Sequence, residues 1–398
     1  MARLFLTAFV VFMLLVHVGA AEQATLFQFS GGADGGNAAG PLTVDRAGNL
    51  YGATDAGGQG FGVIFRLAPP SAKGGAWTES VLYTFTGGAD GGYPNGGLAL
   101  DGSGHLYGTV AAGVFRLSPP VAGGAWTYSM LYTFPVGDWQ PSGSLVLDAR
   151  GDLYGTNQNG GAAGLGQVYE LSPPAPGGDS WTFAALYDFQ QIPDGQYPDS
   201  GVIFDSEGNL YGVTNQGGTG KCRGEGSLLG CGAVFELRPS RGGWNESVIY
   251  SFKVRQNNMP FWGLTLGKNH ALYGTATYAA FRLVPPPRPG EEWLEQTLYQ
   301  FTEGISGTIP DGGVILDARG NLYGTTASSG ISGYSTVFEL SPPAEAAGPW
   351  TETTLATFGT GFNTDYPNGG LIRGKFDALY GVTDGNGTDF GSVFAIMP

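Results

Sequence analysis

Gly320-Asn321-Leu322-Tyr323-Gly324-Thr325-Thr326, then Val337-Phe338-Glu339-Leu340-Ser341-Pro342, then a segment from Trp350 to Phe358: the order of these three strings decides the fold. The first follows Asp317-Ala318-Arg319, and Asp-x-x-Gly-Asn is turn chemistry that joins two strands in a hairpin. The second is an aromatic flanked by aliphatics that ends at Pro342-Pro343, where ladder pairing stops. Adding the Gly-Gly-Leu-Ala-Leu-Asp type of segment that precedes the turn, as in Gly96 to Asp101, gives four strands, A to D.

The unit recurs. Leu-Tyr-Gly is centred on Tyr51, Tyr107, Tyr154, Tyr211, Tyr273, Tyr323 and Tyr380, and the strand-C aromatics are Phe65, Phe115, Tyr169, Phe235, Phe281, Phe338 and Phe394. A period of roughly 50 residues built from short aromatic and β-branched runs predicts propeller blades. The last repeat stops after strand C, at Val393-Phe394-Ala395-Ile396. Its missing strand D is found at the other end, where Thr25-Leu26-Phe27-Gln28-Phe29 matches Leu82-Tyr83-Thr84-Phe85. The expected fold is all-β, a seven-bladed β-propeller of four-stranded blades, closed by the N-terminal strand supplying the outer strand of the last blade. Composition agrees: 71 Gly and 25 Pro in 398 residues exclude a helical bundle, and 13% aromatics exclude a disordered chain.

Eighteen basic against 33 acidic residues give a net charge of -15, which excludes a nucleic-acid binder and disfavours anionic membranes. Arg3 precedes an apolar run from Leu4 to Val16 and small residues at 18–21, the layout of a signal peptide. Residues 1–20 are therefore expected to be a signal peptide and 21–398 a single propeller domain, exported, with no membrane span in the mature chain, and monomeric. Cys222 and Cys231 stand close together in one loop, and in an exported chain such a pair is expected to form a disulfide.

Loop length varies mainly between strands B and C: Tyr107 to Phe115 is 8 residues, Tyr211 to Phe235 is 24. The rim that carries these loops and the D-to-A loops is the expected binding face. His105 and His270 fall at or beside A-to-B turns on the opposite face, which excludes a His-dependent triad or multi-His metal site on the rim. Rim carboxylates are the remaining chemical candidates: Asp34, Asp90 and Asp194, each followed by Gly, with Asn363 at the matching position and Asp138, Asp199, Asp311 and Asp365 nearby. They could bind Ca²⁺ or work as an acid and base pair; Asp-Gly also simply makes turns. Trp139 and Trp262 are the tryptophans outside the strand-D register. With Tyr197, Phe261 and Tyr278 they form a candidate aromatic rim, for stacking on sugars or gripping a peptide, or for plugging the channel mouth.

The recurring strings Gly320 to Thr326, Val337 to Pro342 and Asp365 to Leu371 resemble the GloVer tandem repeat of exported bacterial proteins. The resemblance covers the whole expected mature chain. It implies an extracellular repeat protein, often with a C-terminal sorting or anchoring signal; none follows the last blade here, so a soluble product is expected. It implies no reaction. The expected function is a non-catalytic binding propeller whose rim, with Asp90 and Asp194 among its candidates, recognises a glycan or protein, without cofactor or metal. The alternative is a carboxylate-dependent extracellular hydrolase or lyase, with or without calcium.

Overall fold

A computed structural model describes residues 21–72, 74–121, 123–135, 141–224, 227–253, 259–288, 290–302, 309–327, 334–345, 348–360, 366–385 and 389–397. The expected signal peptide, Asp138, Trp139, Asn363 and Asp365 lie outside them. Seven antiparallel sheets follow one another around a ring. Blade 1 runs Gly36–Val44, Leu50–Ala56, Val63–Ala68 and Thr78–Thr84, in the order A, B, C, D. The last sheet orders Tyr366–Arg373, Leu379–Asp384 and Ser392–Met397, and its fourth strand is the N-terminal Glu22–Gln28.

The blades are joined by aromatic pairs. Each strand-D phenylalanine meets the strand-C aromatic of the following blade: Phe85 on Phe115 at 5.6 Å, Phe134 on Tyr169 at 5.3 Å, Phe189 on Phe235 at 5.1 Å and Phe301 on Phe338 at 4.9 Å. Phe358 packs on Phe394, and Phe29 of the N-terminal segment on Phe65. Edge-on or tilted contact suits the ring quadrupoles. Nearer the opposite face, strand-D tryptophans pack on the Leu-Tyr-Gly tyrosine of the preceding blade, as Trp181 does on Tyr107 and Trp77 on Tyr380.

At the axis the inner strands touch backbone to backbone. A Cβ on Gly40 would lie 2.4 Å from the carbonyl carbon of Gly96, one on Gly96 2.4 Å from the Gly143 oxygen, one on Gly143 2.1 Å from the Gly201 nitrogen, and one on Gly369 2.5 Å from Gly40. These glycines have φ between +64° and +81° and sit where strand A loses register with strand B, between Ala39 and Thr43, Asn95 and Ala99, Ser142 and Val146, and Asn368 and Ile372. The bulge pushes strand A towards its neighbour and frees its carbonyls, which only a residue without Cβ permits at this distance. Strand-B threonines satisfy the freed groups: Thr156 Oγ1 donates to Ser142 O (3.1 Å) and, in the next blade, to Ser200 O (2.8 Å), and Thr275 Oγ1 to Gly312 O (2.9 Å).

The A-to-B turns follow the expected chemistry where aspartate is present. Asp205 Oδ1 accepts the amides of Glu207 and Asn209, while Oδ2 accepts the Asn209 side chain and the Tyr211 hydroxyl. Blades 5 and 7 have Gly267 and Gly374 there, and turn instead through paired left-handed residues, Asn269 with His270 and Phe376 with Asp377.

Candidate functional site

Strand A begins, and strand B ends, at the face that carries the long loops, so seven pairs of positions surround the axis there. The Asp-Gly aspartates of the D-to-A loops, Asp34, Asp90 and Asp194, do not gather at it. Asp90 Oδ2 accepts from the Thr86 amide and the Tyr83 hydroxyl, both at 2.9 Å, and Oδ1 accepts from Thr86 Oγ1 at 2.7 Å. Against partial desolvation, these bonds from Thr86 and Tyr83 hold the carboxyl of Asp90 below its ordinary value. Asp194 is bonded in the same manner by Tyr187, the Gln190 amide and the Gly195 amide, and Asp34 by Ser30. All three carboxylates accept from their own turns.

A different set of acids surrounds the mouth. Asp55 and Asp384 end the B strands of blades 1 and 7, and Asp199 and Asp311 open the inner strands of blades 4 and 6. Burial raises the carboxyl of Asp311 to about 7, with the charge of Asp384 adding to it. Desolvation and then Asp384 also raise Asp55. The Tyr366 hydroxyl donates to Asp384 Oδ2 at 2.9 Å, and its own ionisation is pushed up to about 12 by burial, by that bond, and by Asp384, Asp311 and Asp55. One electrostatic field therefore couples blades 6, 7 and 1. Across the mouth, Asp199 accepts from Gln158 Nε2 (2.6 Å) and Asn215 Nδ2 (3.2 Å), and its carboxyl is raised by burial. Among the described residues no ion pair neutralises these four carboxylates, and no group of three or more His, Cys, Asp or Glu is arranged to hold a metal ion.

Tyrosines border this mouth. Tyr93, Tyr197 and Tyr366 occupy the same position in blades 2, 4 and 7, each before a proline. Tyr93 and Tyr197 are held at φ 52° and 56°, and their amides donate to Phe61 O (2.9 Å) and Leu165 O (2.7 Å). A bulky residue in the left-handed region is uncommon and strained, and such outliers concentrate at functional positions. Tyr93 is 52% exposed and leans edge-on against Phe61 at 5.6 Å.

Trp262 stands where blades 1, 2, 3 and 7 place an axial glycine. It is half-buried, and its indole Nε1 donates to Pro310 O of blade 6 at 3.0 Å, so its polar edge is committed to the ring. Phe261, beside it, is half-buried at the position that Asp311 holds in blade 6. Tyr278 is half-buried in its short loop, and its carbonyl accepts from the Phe301 amide and Gln300 Nε2, both at 2.8 Å. Asp55, Asp384, Tyr93 and Tyr366 are absent from the sequence-derived candidates. What would have found them is the contrast, between aligned repeats, of Asp, Asn, Gln, Ala and Tyr at positions flanked by an invariant scaffold.

The longest B-to-C loop borders the mouth at blade 4. Cys222 and Cys231 are joined by a disulfide, with Cα atoms 5.0 Å apart, and Gln216–Gly217 pairs with Gly195–Gln196 of the neighbouring D-to-A loop.

The model of the Gloeobacter/Verrucomicrobia repeat matches residues 112–282 and 225–398, more than half of the chain. The chain belongs to that family. No curated protein matches this Gloeobacter/Verrucomicrobia repeat protein. Its backbone is similar to the extracellular domains of two hybrid two-component systems of B. thetaiotaomicron, each at a TM-score of 0.53, with 11% and 12% identity. The alignments cover 94% and 95% of this chain but 41% and 42% of those, so the repeat protein spans about two fifths of their length. It is also similar to a gluconolactonase of Xanthomonas campestris, at 14% identity and a TM-score of 0.44, over 95% of this chain and 89% of that one. At such identities the likeness to the two extracellular domains shows the fold alone. Among the described residues of the repeat protein, no helix is long and apolar enough to cross a membrane.

Proposed function

We propose that the protein is an exported, non-catalytic binding module that recognises a glycan at the axial mouth of its loop face. The observation that carries this reading is the pair Tyr93 and Tyr197, held in the left-handed region at equivalent positions of two blades beside a ring of unneutralised carboxylates. Aromatic faces offer apolar contact to a sugar ring, and carboxylates and amides such as Asn95 and Asn368 supply acceptors and donors for its hydroxyls. The carboxylates named first from the sequence, Asp34, Asp90 and Asp194, accept bonds within their own turns, which gives the hydrolase alternative no support. The disulfide suits an oxidising compartment.

The test is a glycan array on the mature protein followed by titration of the best ligand. Tyr93→Ala with Tyr197→Ala should weaken binding at least about tenfold, about 1.4 kcal/mol, while the melting temperature stays close to that of the parent protein, because alanine keeps the Cβ that sets the left-handed strain. Retained affinity in the double variant, or hydrolysis of the bound glycan, sinks the proposal.

A further inference from the structure

On the opposite face an open cleft of about 440 Å³ lies between blades 5 and 6, within the size range of small-molecule sites. It arises from a local departure from the repeat. In blades 1 and 2 the strand-B tyrosine donates to the aspartate that opens the A-to-B turn, Tyr51 to Asp45 and Tyr107 to Asp101, each at 3.1 Å. A strand-C arginine pairs across the ladder with that tyrosine, Arg66 with Tyr51 and Arg116 with Tyr107. Blade 5 keeps the tyrosine and the arginine, Tyr273 and Arg282, but has Gly267 in place of the aspartate. The Tyr273 ring closes onto the glycine, whose Cβ would lie 2.5 Å from Cε2, and the Arg282 guanidinium stands 5.6 Å from the ring centroid. The arginine thus keeps its place, with no carboxylate at the position that opens the turn. Its Nε, like those of Arg66 and Arg116, is buried with no hydrogen-bond acceptor among the described residues.

Two exposed cations, Lys268 and Arg319, line the same cleft, and among the described residues none of the three is in an ion pair. Arg150, at the turn position that matches Arg319, by contrast pairs with Asp148 and Asp152. The carboxylate that lines the cleft, Asp317, is committed to its turn: Oδ1 accepts the amides of Arg319 and Asn321, and Oδ2 accepts the Asn321 side chain. Trp350 adds an aromatic wall.

We infer that this cleft binds a carboxylate-bearing sugar, a hexuronate, whose carboxylate meets the three cations Arg282, Lys268 and Arg319. A planar guanidinium matches a carboxylate in geometry as well as in sign, and the aromatic wall gives the pyranose ring a face to lie on. A single inorganic anion would leave most of the cleft and its tryptophan unused. The site faces away from the axial mouth and does not depend on the glycan reading above.

The probes are glucuronate, glucose and inorganic phosphate, titrated by calorimetry into the mature protein and into Arg282→Gln and Arg319→Gln. Glucuronate should saturate and glucose should not, and each substitution should weaken glucuronate at least about tenfold without lowering the melting temperature. Arg319 is exposed, so its variant carries the test alone if Arg282→Gln fails to fold. Absence of saturable glucuronate binding, or unchanged affinity in the folded variants, overturns the site. Phosphate binding as tight as that of glucuronate overturns the sugar.

Discussion

Gln23 lies opposite Ile396, so the two ends of the described chain share one antiparallel seam. Phe29, just beyond that strand, is buried against Phe65 of blade 1 at 5.1 Å, which makes the N-terminal segment part of two blades at once. Phe29→Ala is expected to cost about 3 to 5 kcal/mol through the cavity it leaves. Deleting residues 22–30 should in addition expose the edge of Ser392–Met397 and promote aggregation. Denaturant titration and size-exclusion chromatography check both. A deletion that stays monomeric with an unchanged midpoint would refute the seam.

The axial glycines make a separable claim about close approach. Gly143 and Gly151 both have positive φ, +64° and +88°, but a Cβ on Gly143 would strike the Gly201 nitrogen, whereas one on Gly151 meets nothing within 4 Å. Gly151→Ala should therefore cost only the left-handed penalty, about 1 to 2 kcal/mol. Gly143→Ala should cost at least ~2 kcal/mol more. Equal losses in the two variants would mean that the inner strands can part freely.

Tyr169 is the odd member among the strand-C aromatics. It is fully buried, its hydroxyl has no hydrogen-bond partner among the described residues, and burial pushes its ionisation up. Six blades carry phenylalanine there, so Tyr169→Phe should stabilise the protein by about 1 kcal/mol through removal of an unsatisfied buried group. A lower melting temperature in that variant would reveal a buried partner, such as a water.

Stability should fall as pH rises from about 4 to about 7. The folded carboxyl of Asp311 is raised to about 7 by burial and Asp384, and that of Glu246 to about 7 by burial and Asp194, while both ionise near 4 in the unfolded chain. Across that window the folded state holds more protons, so deprotonation favours unfolding. Asp311→Asn should flatten the slope and raise the melting temperature at pH 8, and melting curves between pH 4 and pH 8 measure both. A slope identical to that of the parent protein would show that Asp311 does not carry it.

Blade number was legible because Leu-Tyr-Gly is written seven times, turn chemistry because its aspartate is written five times, and closure because the one strand the last repeat lacks reappears at the N-terminus. The axial bulges were not. Gly96-Gly97 and Gly369-Gly370 look like ordinary strand glycines until the adjacent blade is present, and the inner strands of blades 4 and 5, which have Ser200 and Trp262 at that glycine's position, keep just two paired residues each, Ile203–Phe204 and Thr265–Leu266. The mouth was half legible. Asp199 and Asp311 stood near the candidate carboxylates, but Asp55 and Asp384 follow strand-B threonines, and nothing local distinguishes them from turn-forming acids such as Asp90. Their coupling exists only because the ring brings blade 7 beside blade 1.

That ring also constrains how such a gene can evolve. Seven similar segments in tandem invite unequal recombination, which adds or removes whole repeats at a stroke. Here the circumference is set by glycine backbones in contact at the hub, so a sixfold or eightfold product would have to re-space those contacts even though it kept the end-to-end strand at the perimeter. Blade count in this lineage should be held fixed by geometry, and novelty confined to substitutions inside repeats and to loop length.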